Sequence, residues 1–133
     1  MFLFRKPFVI SFFIVLGLAS EYMLWQVRDG LTAIVILAPV LSVVHFLETL
    51  IPALTSLSPL QHELAVTLPL ILIYFGFTGY WLCQIGREEG FLKYVILFAF
   101  IGFLIVIHWQ AFDYLESLML QSTAIGELTN TGP

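Results

Sequence analysis

The sequence predicts an all-α fold: a polytopic integral membrane protein whose four transmembrane helices form an antiparallel bundle with short loops. Of its 133 residues, 60% are hydrophobic and 11% are charged, which leaves too few polar side chains to cover a water-soluble domain. The mean hydropathy of +1.01 agrees with this. The apolar residues fall into four stretches of about 20 residues, the length of helix that crosses ~30 Å of hydrocarbon. These stretches are apolar on all sides, unlike the alternating strands of a membrane barrel.

The predicted spans occupy most of the chain and are followed by a short tail. We place the spans at about residues 7–25, 31–54, 64–85 and 91–112, which makes 1–120 a four-helix transmembrane domain and 121–133 a polar C-terminal tail. Pro39 and Pro69 lie inside the second and third spans, where a proline removes a backbone hydrogen bond and favours a kink. The tail contains too few apolar residues to pack by itself, so we expect it to be loose unless a partner orders it.

The distribution of charge indicates an orientation, because short cytoplasmic loops are enriched in Lys and Arg. The first and third loop regions together hold Arg28, Arg87 and Lys93, whereas the N-terminus holds Arg5 and Lys6. The second loop and the tail carry only acidic charge. We therefore predict that the first and third loops are cytoplasmic and that both termini lie on the non-cytoplasmic side, in a membrane that the sequence does not specify.

Small residues along the third span predict a face for close helix packing. Gly76, Gly79, Cys83 and Gly86 are spaced three, four and three apart, which places them on one stripe of a helix. Helices in lipid associate through close fit, and small side chains allow that approach. A groove for a flat cofactor or substrate is the alternative interpretation of the stripe. Cys83 is the only cysteine, so the chain cannot form an intrachain disulfide.

Two histidines inside the predicted spans are the main candidates for a functional site, because ionisable side chains are costly in hydrocarbon. His45 lies about 14 residues into the second span and His108 about 17 into the fourth, and these two spans run parallel. At ~1.5 Å per residue, both imidazoles lie ~20–25 Å from the start of their helices, near the same membrane face. Glu48 follows His45 by three residues, which places the two on one helix face where they can pair.

These side chains are compatible with several kinds of chemistry. His45 and His108 could be axial ligands of a haem, or each could hold the magnesium of a chlorophyll-type pigment. His45, Glu48 and His108 together could bind a transition metal. A His–Glu pair could instead relay protons. The remaining interpretation is structural: His45 and Glu48 satisfy each other or a neighbouring subunit.

For function, we expect a small accessory subunit of a larger multi-subunit membrane complex, of an energy-converting kind (electron-transfer or photosynthetic). Nearly the whole chain is span, and the loops are too short for a receptor or catalytic domain, so we expect a mainly structural role without catalytic activity of its own. The alternatives are a haem-, pigment- or metal-binding redox subunit and a self-assembling channel or transporter. The predicted partners are other integral membrane subunits and the lipid bilayer, with bound lipid. With five basic residues and a net charge of -4, we expect no nucleic-acid binding.

Overall fold

The computed structural model describes residues 6–26 and 31–130, with side chains as far as residue 123, and these residues contain no strand. The helices are α1 (Lys6–Gln26), α2 (Leu31–Leu50), α3 (Pro59–His62), α4 (Leu68–Ile85) and α5 (Phe91–Asn130), with a 3₁₀ turn at Pro52–Ser56 and a π-helical turn at Glu63–Thr67. Four helical segments are long and apolar enough to cross a membrane: Lys6–Gln26, Leu31–Leu50, Pro59–Ile85 and Phe91–Thr123. The prediction of an all-α integral membrane protein with four spans is confirmed.

Prolines determine where α2 ends and where the third span begins. The second span was predicted to reach residue 54, but α2 ends at Leu50 because Pro52 forces the preceding residue out of the helical conformation, with φ −127° and ψ 80° at Ile51. After the 3₁₀ turn, Ser58 caps α3. Its side chain accepts a hydrogen bond from the backbone N–H of Gln61, and the Gln61 side chain accepts one from the backbone N–H of Ser58. The third span therefore begins at residue 59, five residues before the predicted start.

The π-helical turn accommodates Pro69 in the third span. The backbone N–H of Leu68 donates to the carbonyl of Glu63, five residues earlier, so the helix widens just before the proline. Pro69 has no N–H to donate and falls in the first turn of α4. The span thus passes through this proline as one continuous helical segment.

The last helix continues well beyond the predicted span. α5 does not end near Phe112 but runs through the residues expected to be a loose tail, as far as Asn130. No glycine or proline occurs between Gly102 and Gly126, so nothing in that stretch stops the helix. Its 40 residues correspond to about 60 Å, twice the ~30 Å thickness of the hydrocarbon.

Two helix pairs organise the bundle. α1 packs closely against α4 in the antiparallel direction, since Ile10 lies against Gly79 and Gly17 lies against Phe75. α2 lies beside α5 in the parallel direction, with the Ser42 hydroxyl donating to the carbonyl of Ala111 at 3.2 Å. The buried core lies between α2 and the third span and contains Leu37, Val40, Val44, Val66, Ile71 and Phe75. None of the residues 91–123 of α5 is buried, so this helix lies at the periphery of the bundle.

The start of α1 lies at a different end of the bundle from the one expected for four alternating spans. Lys6 Nζ lies 5.3 Å from the centre of the Tyr80 ring, and Val9 lines a cavity together with Gly86 and Lys93. The start of α1 is therefore near the end of α4 and the start of α5. An alternating path of four spans would instead place Lys6 at the other end, where α5 finishes; the side of the membrane on which each terminus lies stays a prediction.

Candidate functional site

The polar cluster begins with three side chains where α2 approaches α3. The Nδ1 atom of His45 lies 3.7 Å from Glu48 Oε2, one turn along α2. The Nε2 atom of His62 lies 3.0 Å from Glu48 Oε1, so Glu48 links α2 to α3. His62 Nε2 has no aligned hydrogen bond and approaches Glu48 only at ion-pair distance. The structure thus brings His45 and Glu48 together as the sequence analysis expected and adds His62 from the following segment.

Two further carboxyl groups complete the polar cluster, which we define as Glu21, His45, Glu48, His62 and Glu63. The carboxyl group of Glu21 on α1 is next to that of Glu63 on the π-helical turn. One oxygen atom of each, Glu21 Oε2 and Glu63 Oε1, is buried without a hydrogen-bond partner. Two adjacent carboxyl groups repel each other when both are ionised.

The side chains of the polar cluster that lie on α2 and α3 are partly exposed. The exposed fractions of the side chains are 39% for His45, 28% for Glu48 and 18% for His62. Ion pairs at this level of exposure contribute about 0–1 kcal/mol, so Glu48 is a weak link between helices. Among residues 6–26 and 31–123, no group of three or more His, Cys, Asp or Glu side chains is arranged to hold a metal ion.

His108 lies away from the polar cluster, although it was predicted at a comparable depth. Contacts between α2 and α5 follow an offset of 69 residues, as in the bond between Ser42 and Ala111. The His45 ring accordingly lies beside Tyr114, with ring centres 5.9 Å apart. His108 is six residues before Tyr114, or about 9 Å along the helix axis. The structure therefore does not bring His108 together with His45 and Glu48, and the binding of a haem, a pigment or a metal by these residues stays a prediction.

His108 has well-defined partners of its own. Its Nδ1 atom lies 2.8 Å from the carbonyl oxygen of Leu104, one turn earlier on α5. Its ring lies 6.0 Å from the ring of Tyr74 on α4, measured between centres. His108 also lines an open groove of about 520 Å³ between α2 and α5, which we call the α2–α5 groove. The walls of this groove include Leu31, Val35, Leu104, Ile105, Trp109 and Phe112.

The small-residue stripe on α4 faces α1 at one central position. A Cβ atom added to Gly79 would lie 3.0 Å from the Cα atom of Ile10, so the two backbones are in direct contact there. A Cβ at Gly76 would meet only a side-chain atom, at 3.9 Å. Cys83 is buried, and Gly86 ends α4, where its carbonyl accepts a hydrogen bond from Lys93 Nζ at 3.1 Å. Of the four residues, only Gly79 is in contact with the backbone of α1.

The matching small residues on α1 were not predicted from the sequence. A Cβ atom at Gly17 would lie 2.5 Å from an atom of the Phe75 ring, so only glycine fits there without a shift. Gly17 and Ser20 are the buried residues of α1. Their spacing of three on an otherwise bulky helix was the signal that would have identified this face.

Comparisons with known proteins leave the chain without an assigned family. No protein-family model, curated protein or solved structure matches it. A function for the chain is therefore drawn from the polar cluster, the α2–α5 groove and the helix packing.

Proposed function

We propose that the chain is a small accessory subunit of a larger membrane complex, of an energy-converting kind (electron-transfer or photosynthetic), with a structural role and no catalytic activity of its own. Its partners are other integral membrane subunits that pack on the helix surfaces left open by the bundle. The length of α5 relative to its neighbour α2 is the observation that carries this proposal.

α5 extends past the end of its neighbour α2. With the offset of 69 residues, the end of α2 at Leu50 corresponds to residue 119 on α5. The helix then continues for eleven residues, 120–130, or about 16 Å. A single helical segment of this length is marginal in water without packing, so a neighbouring subunit is the natural source of its stability.

The charge distribution of the bundle also favours a partner. The polar cluster has three carboxyl groups and two imidazoles, and two carboxyl oxygens in it are buried without a partner. Lys6, Arg87 and Lys93 lie near the opposite end, where α1 begins and α4 ends. A neighbouring subunit that carried a basic side chain would neutralise the acidic end, because buried charges are stable only when paired.

Native mass spectrometry of the extracted protein tests the proposal. We expect the full chain to be found in an assembly of fixed stoichiometry with other membrane proteins. A chain shortened to residues 1–120 should keep its four spans but lose the assembly, because the projecting part of α5 is removed. A chain ending at Asn130 is the matched control and should assemble normally. Extraction of the full chain as a stable monomer without other subunits would refute the proposal.

The orientation is proposed only for the second half of the chain. We propose that the loop between α4 and α5, which contains Arg87, faces the cytoplasm and that the C-terminal end of α5 faces the opposite side. Single cysteines at Glu88→Cys and Ser122→Cys, each combined with Cys83→Ala, can be labelled with a membrane-impermeant maleimide on intact cells. We expect labelling at position 122 and none at 88, and the reverse pattern would contradict the orientation.

A further inference from the structure

We propose that the cavity between α1, α4 and the start of α5 binds one anionic phospholipid of the surrounding bilayer, with the Lys93 ammonium group beside the headgroup phosphate and an acyl chain along the cavity wall. This cavity is at the other end of the bundle from the polar cluster. The inference gives a place and a charge to the bound lipid expected from the sequence, and it does not depend on the proposed role as an accessory subunit.

The cavity combines one charged side chain with apolar walls. Its volume of about 320 Å³ is at the lower end of the range for ligand sites, which suits a single acyl chain better than a bulky ring. Among the described residues that line it, Lys93 is the only charged one. The walls are formed by Val9 and Phe13 of α1, Leu82 and Ile85 of α4, and Leu97 of α5. A ligand that fits is therefore apolar along most of its length and negatively charged at one place.

The charged and apolar parts of the cavity follow the order of the parts of a phospholipid. Lys93 lies in the first turn of α5, close to the end of α4 at Ile85, where the chain turns between two spans and hence at a membrane surface. Leu97 lies one turn farther along α5, and Phe13 lies one turn after Val9 on α1, both away from that surface. A bilayer lipid likewise has its headgroup at the surface and its chains directed inward.

The ammonium group of Lys93 lacks a counter-charge among the described residues. Its Nζ atom donates a hydrogen bond to the carbonyl oxygen of Gly86 at 3.1 Å, which uses one of its three protons. No carboxyl group of residues 6–26 and 31–123 lies within 4 Å of it. A cation in the first turn of a helix is also unfavourable, because the N-terminal end of a helix is itself positive. A phosphate group offsets both effects, and lysine is a common ligand of phosphate.

A second cation strengthens the preference for a negative headgroup at this end. Lys6 precedes Val9 by one turn of α1, and its Nζ atom lies 5.3 Å from the centre of the Tyr80 ring. Lys6 does not line the cavity, but its charge makes the local potential more positive. Basic side chains between transmembrane helices near a membrane surface are typical of sites for anionic headgroups. A neutral lipid would fill the same space but would leave Lys93 without a counter-charge.

Lipid binding to the purified full chain, counted by native mass spectrometry, tests the inference. Phosphatidylglycerol is compared with phosphatidylcholine that carries the same acyl chains. We expect phosphatidylglycerol to bind about fivefold more tightly, with one such molecule per chain, because one lysine near an anionic headgroup contributes ~1 kcal/mol. Lys93→Gln should reduce this ratio to about one. Arg87→Gln removes the same charge from an exposed position outside the cavity, so it is the matched control and should leave the ratio unchanged.

A variant that fills the cavity tests the position of the acyl chain. Leu97→Trp keeps Lys93 but should abolish the tight binding of phosphatidylglycerol, whereas Phe98→Trp, at a side chain that is 72% exposed, should not. Unchanged binding in Leu97→Trp would show that the headgroup binds without the cavity and would overturn the inference. Far-UV circular dichroism checks that each variant is folded, and Leu97→Phe replaces the tryptophan variant if that one does not fold.

Three results with the charge variants would also overturn the inference. Equal binding of the two lipids to the unaltered chain would show that the cavity takes acyl chains without regard to charge. A preference that survives in Lys93→Gln would place the anionic lipid elsewhere. An equal loss in Lys93→Gln and Arg87→Gln would mean that the overall charge of this end attracts the lipid and that no single site binds it.

Discussion

Gly17→Ala should destabilise the packing of α1 against α4, even though alanine is the better helix former. A Cβ atom at residue 17 would lie 2.5 Å from Phe75 Cδ2 and 2.8 Å from Ile71 Cγ2. Both of these side chains belong to the core, with exposed fractions of 4% for Phe75 and 0% for Ile71. Neither can move aside without disturbing its neighbours, so the added methyl group must push α1 away from α4.

The expected size of this effect follows from two opposing contributions. Overpacking a well-filled core costs about 1–3 kcal/mol. Replacing glycine by alanine inside a helix stabilises the helix by about 1 kcal/mol. We therefore expect a net loss of about 0–2 kcal/mol for Gly17→Ala. Gly102→Ala on α5 is the matched control, because nothing lies within 4 Å of the Cβ atom there and only the helix preference acts.

The comparison of glycine variants is measured by reversible unfolding in mixed micelles, followed by circular dichroism. The preference of alanine for the helix is common to all variants and cancels in the differences, so Gly17→Ala should be about 1–3 kcal/mol less stable than Gly102→Ala. Gly76→Ala, with one contact at 3.9 Å, should resemble the control, and Gly79→Ala, with a backbone atom at 3.0 Å, should fall between. Equal stability of Gly17→Ala and Gly102→Ala would refute the close packing of α1 on α4.

Two further predictions concern the direction and the register of the helices. Because α1 is antiparallel to α4, we expect Val9→Cys to form a disulfide cross-link with the native Cys83 under mild oxidation. Leu24→Cys, at the other end of α1, should not form one. A cross-link from residue 24 alone would mean that the two helices run parallel. Ser42→Ala removes the hydrogen bond to Ala111 and should lower the free energy of unfolding by about 0.6 kcal/mol, the average for such bonds between membrane helices. Unchanged stability would show that this bond contributes nothing to the pairing of α2 with α5.

The spans could be predicted from the sequence because their signal is local, whereas the ends of the helices depend on backbone chemistry that hydropathy does not record. Pro52 ends α2 at Leu50 within a stretch that is still apolar. The polar residues after Phe112 remain helical because no glycine or proline interrupts them before Gly126. Polarity alone therefore did not predict the ends of α2 and α5, and the bounds of the spans within the membrane stay predictions.

The partners of each helix were harder to predict, and for a different reason. In lipid every apolar face is equally well solvated, so hydrophobicity does not indicate which helices meet. The contact of Gly79 with Ile10 depends on steric fit, and the matching face of α1 was visible only as the small residues Gly17 and Ser20 on a bulky helix. The pairing of His45 with Glu48 was predictable because it lies within one turn, whereas the approach of His62 required the fold of the following segment.

The register between α2 and α5 places His45 and His108 at different levels along the helix pair. To bring His108 level with His45, α5 would have to slide by six residues, nearly two helical turns, and the bond from Ser42 to Ala111 would break. Sliding by one turn would also move the aromatic side chain of Tyr114 away from the His45 ring. His45 thus remains beside Glu48, and His108 remains at the α2–α5 groove, about 9 Å away along the helix axis.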